Sequence, residues 1–146
     1  MAQQLIIDIG NSSAKIALFD GDTLIEQLCV SHEALPHTLN GMAESRSIDA
    51  AIISSVIPLS EATEETLGAL PFPILRMSAQ LKMPFSIAYK TPDTLGPDRL
   101  AAVAEACAQQ PESDLLVIDA GTAITYDIVT ADGTYLGGNI SPGINM

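Results

Sequence analysis

The chain has 146 residues, 47% of them hydrophobic and 16% charged, a balance that excludes intrinsic disorder and suits about one domain. Its 18 acidic and 6 basic residues give a net charge of −12, and the cations are scattered, which disfavours direct nucleic-acid binding. Cys29 and Cys107 lack a CxxC spacing and read as reduced thiols, and no apolar run approaches membrane-spanning length. A cytoplasmic protein with no membrane partner is expected.

In chain order, residues 4–9 (QLIIDI) read as a short buried strand ending at Gly10. Residues 14–19 alternate, "DGD" at 20–22 turns tightly, and 23–31 complete a three-stranded meander. His32 and His37 flank Glu33 at a spacing foreign to zinc sites and are expected in a solvated loop or helix start. Residues 33–43 read as a helix with Pro36 in its first turn, and 49–58 as a buried strand stopped by Pro58. Ser60 is a candidate N-cap for a helix over 61–70, and 71–77 form a short strand flanked by prolines. The loop "KTPDTLGPDR" (90–99) leads into an alanine-rich helix over 100–110. Residues 114–120, 123–130 and 134–140 then read as three strands, with "ADG" turning at 131–133. The order is βββαβαβα followed by a second βββ, an α/β fold whose mixed sheet is flanked by helices.

"LIIDIGNSSAKIALFDG" (5–21) matches "LVIDAGTAITYDIVTADG" (116–133), with one extra residue before the second Asp-Gly turn. Asp8 and Asp119 end equivalent strands, at a period too long for a solenoid repeat. The repeat divides the chain into a first half-domain over 1–112 and the opening hairpin of a second over 113–146, two related units on either side of a cleft.

The first turn places Gly10, Asn11, Ser12 and Ser13 at a strand end with Lys15 following, a layout that can cradle phosphate although no Walker loop or GxGxxG is present. Asp8 could hold a hydrated magnesium. An ordinary hairpin with a polar rim is the alternative. The second turn repeats acid, glycine and hydroxyl at Asp119, Gly121, Thr122 and Thr125. In "GPDR" (96–99), Asp98 reads either as a plain N-cap or as a carboxylate placed to take a proton. Arg99 reads either as a surface residue or as a guanidinium for an anionic substrate group.

"DIGNSSAK", "SSVIP", "TPDTLGPDR", "IDAGTAITYD" and "GGNISPG" occur in an order that resembles type III pantothenate kinases. That family sits in the actin-like (ribonuclease H-like) ATPase and sugar-kinase superfamily. The resemblance implies phosphoryl transfer from ATP to pantothenate, the first step towards coenzyme A. It implies Asp98 as general base, and Tyr89, Gly96, Pro97, Asp98 and Arg99 as pantothenate contacts. ATP contacts are implied for Asp8, Ile9, Gly10, Asn11, Ser12, Ser13, Ala14, Lys15 and Thr122. Asp119 is implied to hold a monovalent cation, K+ or NH4+, alongside Mg2+ near Asp8, and the intact protein to be a homodimer. Ser12 stands where the family usually has Thr, and Pro97 fills the variable position of GxDR. The family's chains continue into a second half-domain, so this chain is expected to be an excised domain or a fragment with an incomplete site. "GGNISPG" is expected to lead into a helix. A nucleotide-binding regulatory module of the same fold, without kinase activity, is the alternative function.

Overall fold

A computed structural model describes residues 2–144. The chain forms two compact units, Met1–Met77 and Ser78–Met146. The first contains β1 (Gln3–Ile9), β2 (Ala14–Asp20), β3 (Thr23–Val30), α1 (Leu35–Ser45), β4 (Ile48–Ser55), α2 (Glu61–Ala69) and β5 (Ile74–Arg76). The second contains β6 (Ser86–Ile87), a 3-10 turn at Pro92–Thr94, α3 (Pro97–Gln109), β7 (Leu115–Ala120), β8 (Ala123–Val129) and β9 (Thr134–Pro142). The compact division falls ahead of the 112/113 boundary drawn from the repeat, because α3 packs on β7 and β8 and β6 pairs with β9. Among the described residues no helix is long and apolar enough to cross a membrane.

The first sheet runs β3-β2-β1-β4-β5. Its meander is antiparallel, whereas β4 and β5 join parallel to β1 and β4, reached through α1 and α2 as parallel pairing requires. Strand alternation puts Leu5, Ile7 and Ile9 on the face that α1 and α2 cover, packed with Leu35, Leu39 and Leu67. The second sheet runs β6-β9-β8-β7, with an antiparallel meander like the first. The repeat is visible in its hydrogen bonds: Gly10 N–H donates to the Ser13 carbonyl (3.0 Å), and Gly121 N–H to the Ala123 carbonyl (2.9 Å). The length difference between the halves lies in both connections. Residues 10–13 join β1 to β2 where 121–122 join β7 to β8, and 21–22 join β2 to β3 where 130–133 join β8 to β9.

Several boundaries differ from the sequence reading. β4 ends at Ser55, not at Pro58: Val56 N–H makes the last bond to β1, on the Ile9 carbonyl (3.0 Å), and the Ser55 hydroxyl then donates to the Ile57 carbonyl (2.7 Å), turning the chain early. α1 keeps Pro36 in its first turn, and the Ser60 side chain caps α2 by accepting from Thr63 N–H (3.2 Å). α3 begins three residues earlier than expected, at Pro97, a residue preorganised for a first helical turn. β6 is too short to leave a periodic signal. β9 runs through "GGNISP" to Pro142, and the helix expected to follow it lies outside the described residues.

Candidate active site

In the first unit, β1 ends at the turn 10–13. Asn11 and Ser12 are exposed, and Asp8 and Lys15 are cross-strand neighbours on the face opposite the core. The turn is braced from the far end of the meander. The Cys29 thiol approaches the Ser13 hydroxyl (3.4 Å), and His32 Nε2 lies 2.9 Å from the Gly10 carbonyl oxygen. A bare carbonyl only accepts, so His32 carries the proton on Nε2. His32 lies in the turn before α1, the helix start expected of it, but its ring is half-buried on this contact and not simply solvated. Nothing in the sequence pairs residues 10 and 32; the link exists because the meander brings the ends of β1 and β3 to the same end of the sheet, where Ile9 and Val30 both pair with Ala14 of β2.

In the second unit, the "GPDR" segment is organised by an ion pair. Arg99 is 8% exposed, against the surface position the sequence suggests. Its Nε donates to Oδ1 and Oδ2 of Asp127 (3.1 Å each) and its Nη2 to Oδ1 (2.6 Å). The Tyr135 hydroxyl donates to the same Oδ1 (2.5 Å). The hydrogen bonds to Asp127 hold the Arg99 guanidinium firmly charged despite its burial, with Tyr135 and Tyr89 adding to the effect. Burial first, then Asp127, pushes the Tyr135 phenol far above its ordinary value. Asp127 closes the motif "IDAGTAITYD" and is an acid in an otherwise alternating strand, but neither signal names Arg99 as its partner.

With Arg99 anchored, Asp98 sits in the first turn of α3 and is not the N-cap, a place taken by Gly96. Asp98 is half-buried, and its Oδ1 accepts from Arg99 N–H (2.9 Å). The carboxylate folds back over Gly96, where an added Cβ would lie 2.6 Å from Oδ1. Tyr89 follows β6, whose pairing includes Ala88 N–H to the Tyr135 carbonyl (2.9 Å). The Tyr89 ring covers Gly137, which has φ +87° and whose Cβ, if present, would collide with the ring. Gly96, Pro97, Asp98, Arg99 and Tyr89 thus share one neighbourhood. Asp119 and Thr122 are exposed at the β7–β8 turn.

No three His, Cys, Asp or Glu side chains cluster as a metal group among the described residues. What these turns supply is single carboxylates, Asp8 and Asp119, beside backbone carbonyls. Such oxygen donors fit cations that keep much of their hydration or bind carbonyl oxygen, and do not fit zinc.

Two sheets built around the same antiparallel meander define an actin-like α/β fold. A hexokinase of the ROK group from Thermus thermophilus superposes with a TM-score of 0.52 at 18% identity, over 95% of this chain and 49% of that one. A Campylobacter jejuni protein described as a Baf family transcriptional activator superposes with a TM-score of 0.56 at 28% identity, over 96% and 55%. The family model of the type III pantothenate kinases matches residues 4–146. A type III pantothenate kinase of Phocaeicola vulgatus is 49% identical over 142 residues, 97% of this chain and 58% of its own length. The chain belongs to the type III pantothenate kinase family, and spans somewhat over half the length of such relatives.

Proposed function

We propose that this chain forms the ATP- and pantothenate-binding part of an enzyme that converts pantothenate and ATP to 4'-phosphopantothenate and ADP. The observation that carries the reading is the held carboxylate of Asp98, fixed over Gly96 by an arginine that is itself locked on Asp127. A positioned carboxylate of this kind takes the proton of the primary hydroxyl as its oxygen attacks the γ-phosphorus and the bond to ADP breaks. Asp127 occupies the Nε edge of Arg99, so Arg99 first orients the Asp98 loop; its remaining Nη1 edge is the donor proposed for the pantothenate carboxylate. Tyr89, Gly96 and Pro97 complete the acceptor contacts.

Donor contacts are assigned to Asp8, Ile9, Gly10, Asn11, Ser12, Ser13, Ala14 and Lys15, whose turn N–H groups and ammonium suit phosphate oxygens, and to Thr122. Asp8 would hold Mg2+ directly or through water, and Asp119 a K+ or NH4+ ion; when bound, these ions neutralise phosphate charge. A homodimeric, cytoplasmic enzyme completes the reading. The test is a mass-spectrometric assay for phosphopantothenate with ATP, Mg2+ and K+, on the 146-residue chain and on the product of the complete reading frame. Product is expected from the latter. Bound ATP with no product from either would favour the regulatory alternative.

A further inference from the structure

We propose that His32 is a positioning residue for phosphoryl transfer, acting through the Gly10–Asn11 peptide; the inference rests on the kinase reading above. His32 Nε2 donates to the Gly10 carbonyl at 2.9 Å in a partly buried setting. In a trans peptide the C=O and the following N–H point in opposite directions, and no cis peptide occurs among the described residues. Holding the Gly10 carbonyl towards His32 therefore turns the Asn11 N–H away from it. Gly10 N–H is itself tied to the Ser13 carbonyl (3.0 Å), so the turn closes on one side while the clamp fixes the next peptide plane. Val56 N–H on the Ile9 carbonyl (3.0 Å) and Cys29 on Ser13 (3.4 Å) restrain the residues on either side.

Without His32 the Gly10–Asn11 plane is free to flip, because a flip turns ψ of Gly10 and φ of Asn11, and glycine and asparagine both tolerate the resulting angles. A flip would replace an N–H by a carbonyl oxygen where a phosphate oxygen must sit. The clamp thus selects the turn conformation that presents a donor to an anion. It leaves pantothenate contacts untouched.

The experiment uses the product of the complete reading frame, after wild-type phosphopantothenate formation has been measured. His32→Phe keeps a ring but removes the donor, whereas the side-chain N–H of His32→Gln reaches the position of Nε2. His32→Phe is expected to raise KM for ATP roughly tenfold, the scale of one hydrogen bond, with KM for pantothenate within about twofold of wild type. His32→Gln is expected to restore most of the loss. Wild-type KM for ATP in His32→Phe, or an equal rise in both KM values without rescue by glutamine, overturns the inference while leaving the kinase reading intact. Absence of product from the wild type overturns both. Should His32→Phe fail to fold, nitrogen-15 spectra of the wild-type imidazole decide instead: a proton on Nε2 supports the clamp, and a bare Nε2 refutes it.

Discussion

Gly96 is needed for its missing side chain, not for its backbone. Its φ of −61° and ψ of 135° are open to any residue, yet a methyl group there would press on the Asp98 carboxylate at 2.6 Å. The carboxylate is the end of a flexible side chain, so it can yield. Gly96→Ala is therefore expected to fold with nearly unchanged stability while kcat falls at least about tenfold, as displaced catalytic groups lose rate steeply. Steady-state kinetics beside a thermal melt would separate the two effects. Asp98→Asn keeps the shape but cannot accept the proton, and should lower kcat by at least about a hundredfold with ATP binding preserved. Wild-type kcat in that variant would remove Asp98 from the role of base. "GPDR" was legible as a site because acid, base, glycine and proline meet there at a helix start. The deciding partner of Arg99 is not, since Asp127 lies on β8, 28 residues beyond Arg99, and nothing local announces the pairing.

At the scale of elements, α3 is locked to the second sheet by Arg99 meeting Asp127 of β8 and, through it, Tyr135 of β9. Removing one partner of a buried pair strands the other charge. Asp127→Ala should thus destabilise the protein by about 3–5 kcal/mol and lower kcat as the Asp98 segment loosens. Urea titration measures the first, and an unchanged midpoint would contradict the lock. In α2, Ser60→Ala deletes the cap on Thr63 N–H and should cost about 1 kcal/mol, seen as a lower urea midpoint at constant slope. Most elements were readable from the sequence because their apolar runs or alternation extend over many residues. β6 leaves no signal in the sequence because two residues carry no period, and the start of α3 is hidden because "GPDR" reads as loop although Pro97 is its first helical residue.

Over the whole molecule, the repeat makes a comparison possible that neither half allows alone. Leu5 and Ile7 of β1 are fully buried beneath α1 and α2, whereas their counterparts Leu116 and Ile118 on β7 are 60% and 56% exposed. Ile128, directly opposite Leu116 in the register, is also exposed, so the bare face extends across β7 and β8. Such a surface binds apolar probes and promotes self-association. Leu116→Ser combined with Ile118→Ser should reduce binding of an apolar fluorescent dye and raise solubility of the 146-residue chain, with little loss of stability. Undiminished dye binding would place the apolar surface elsewhere.

The amino-acid sequence by itself determined the order of the longer elements, the duplicated meander and the family, because each is written in contiguous apolar patterns and short motifs. Tertiary structure alone decided that Arg99 is buried against Asp127, that Asp98 bends over Gly96, and that His32 reaches Gly10. Those contacts join residues far apart in the chain. They depend on which side chains strand pairing and helix packing bring together, and on the burial that makes an unpaired charge or a free carbonyl costly.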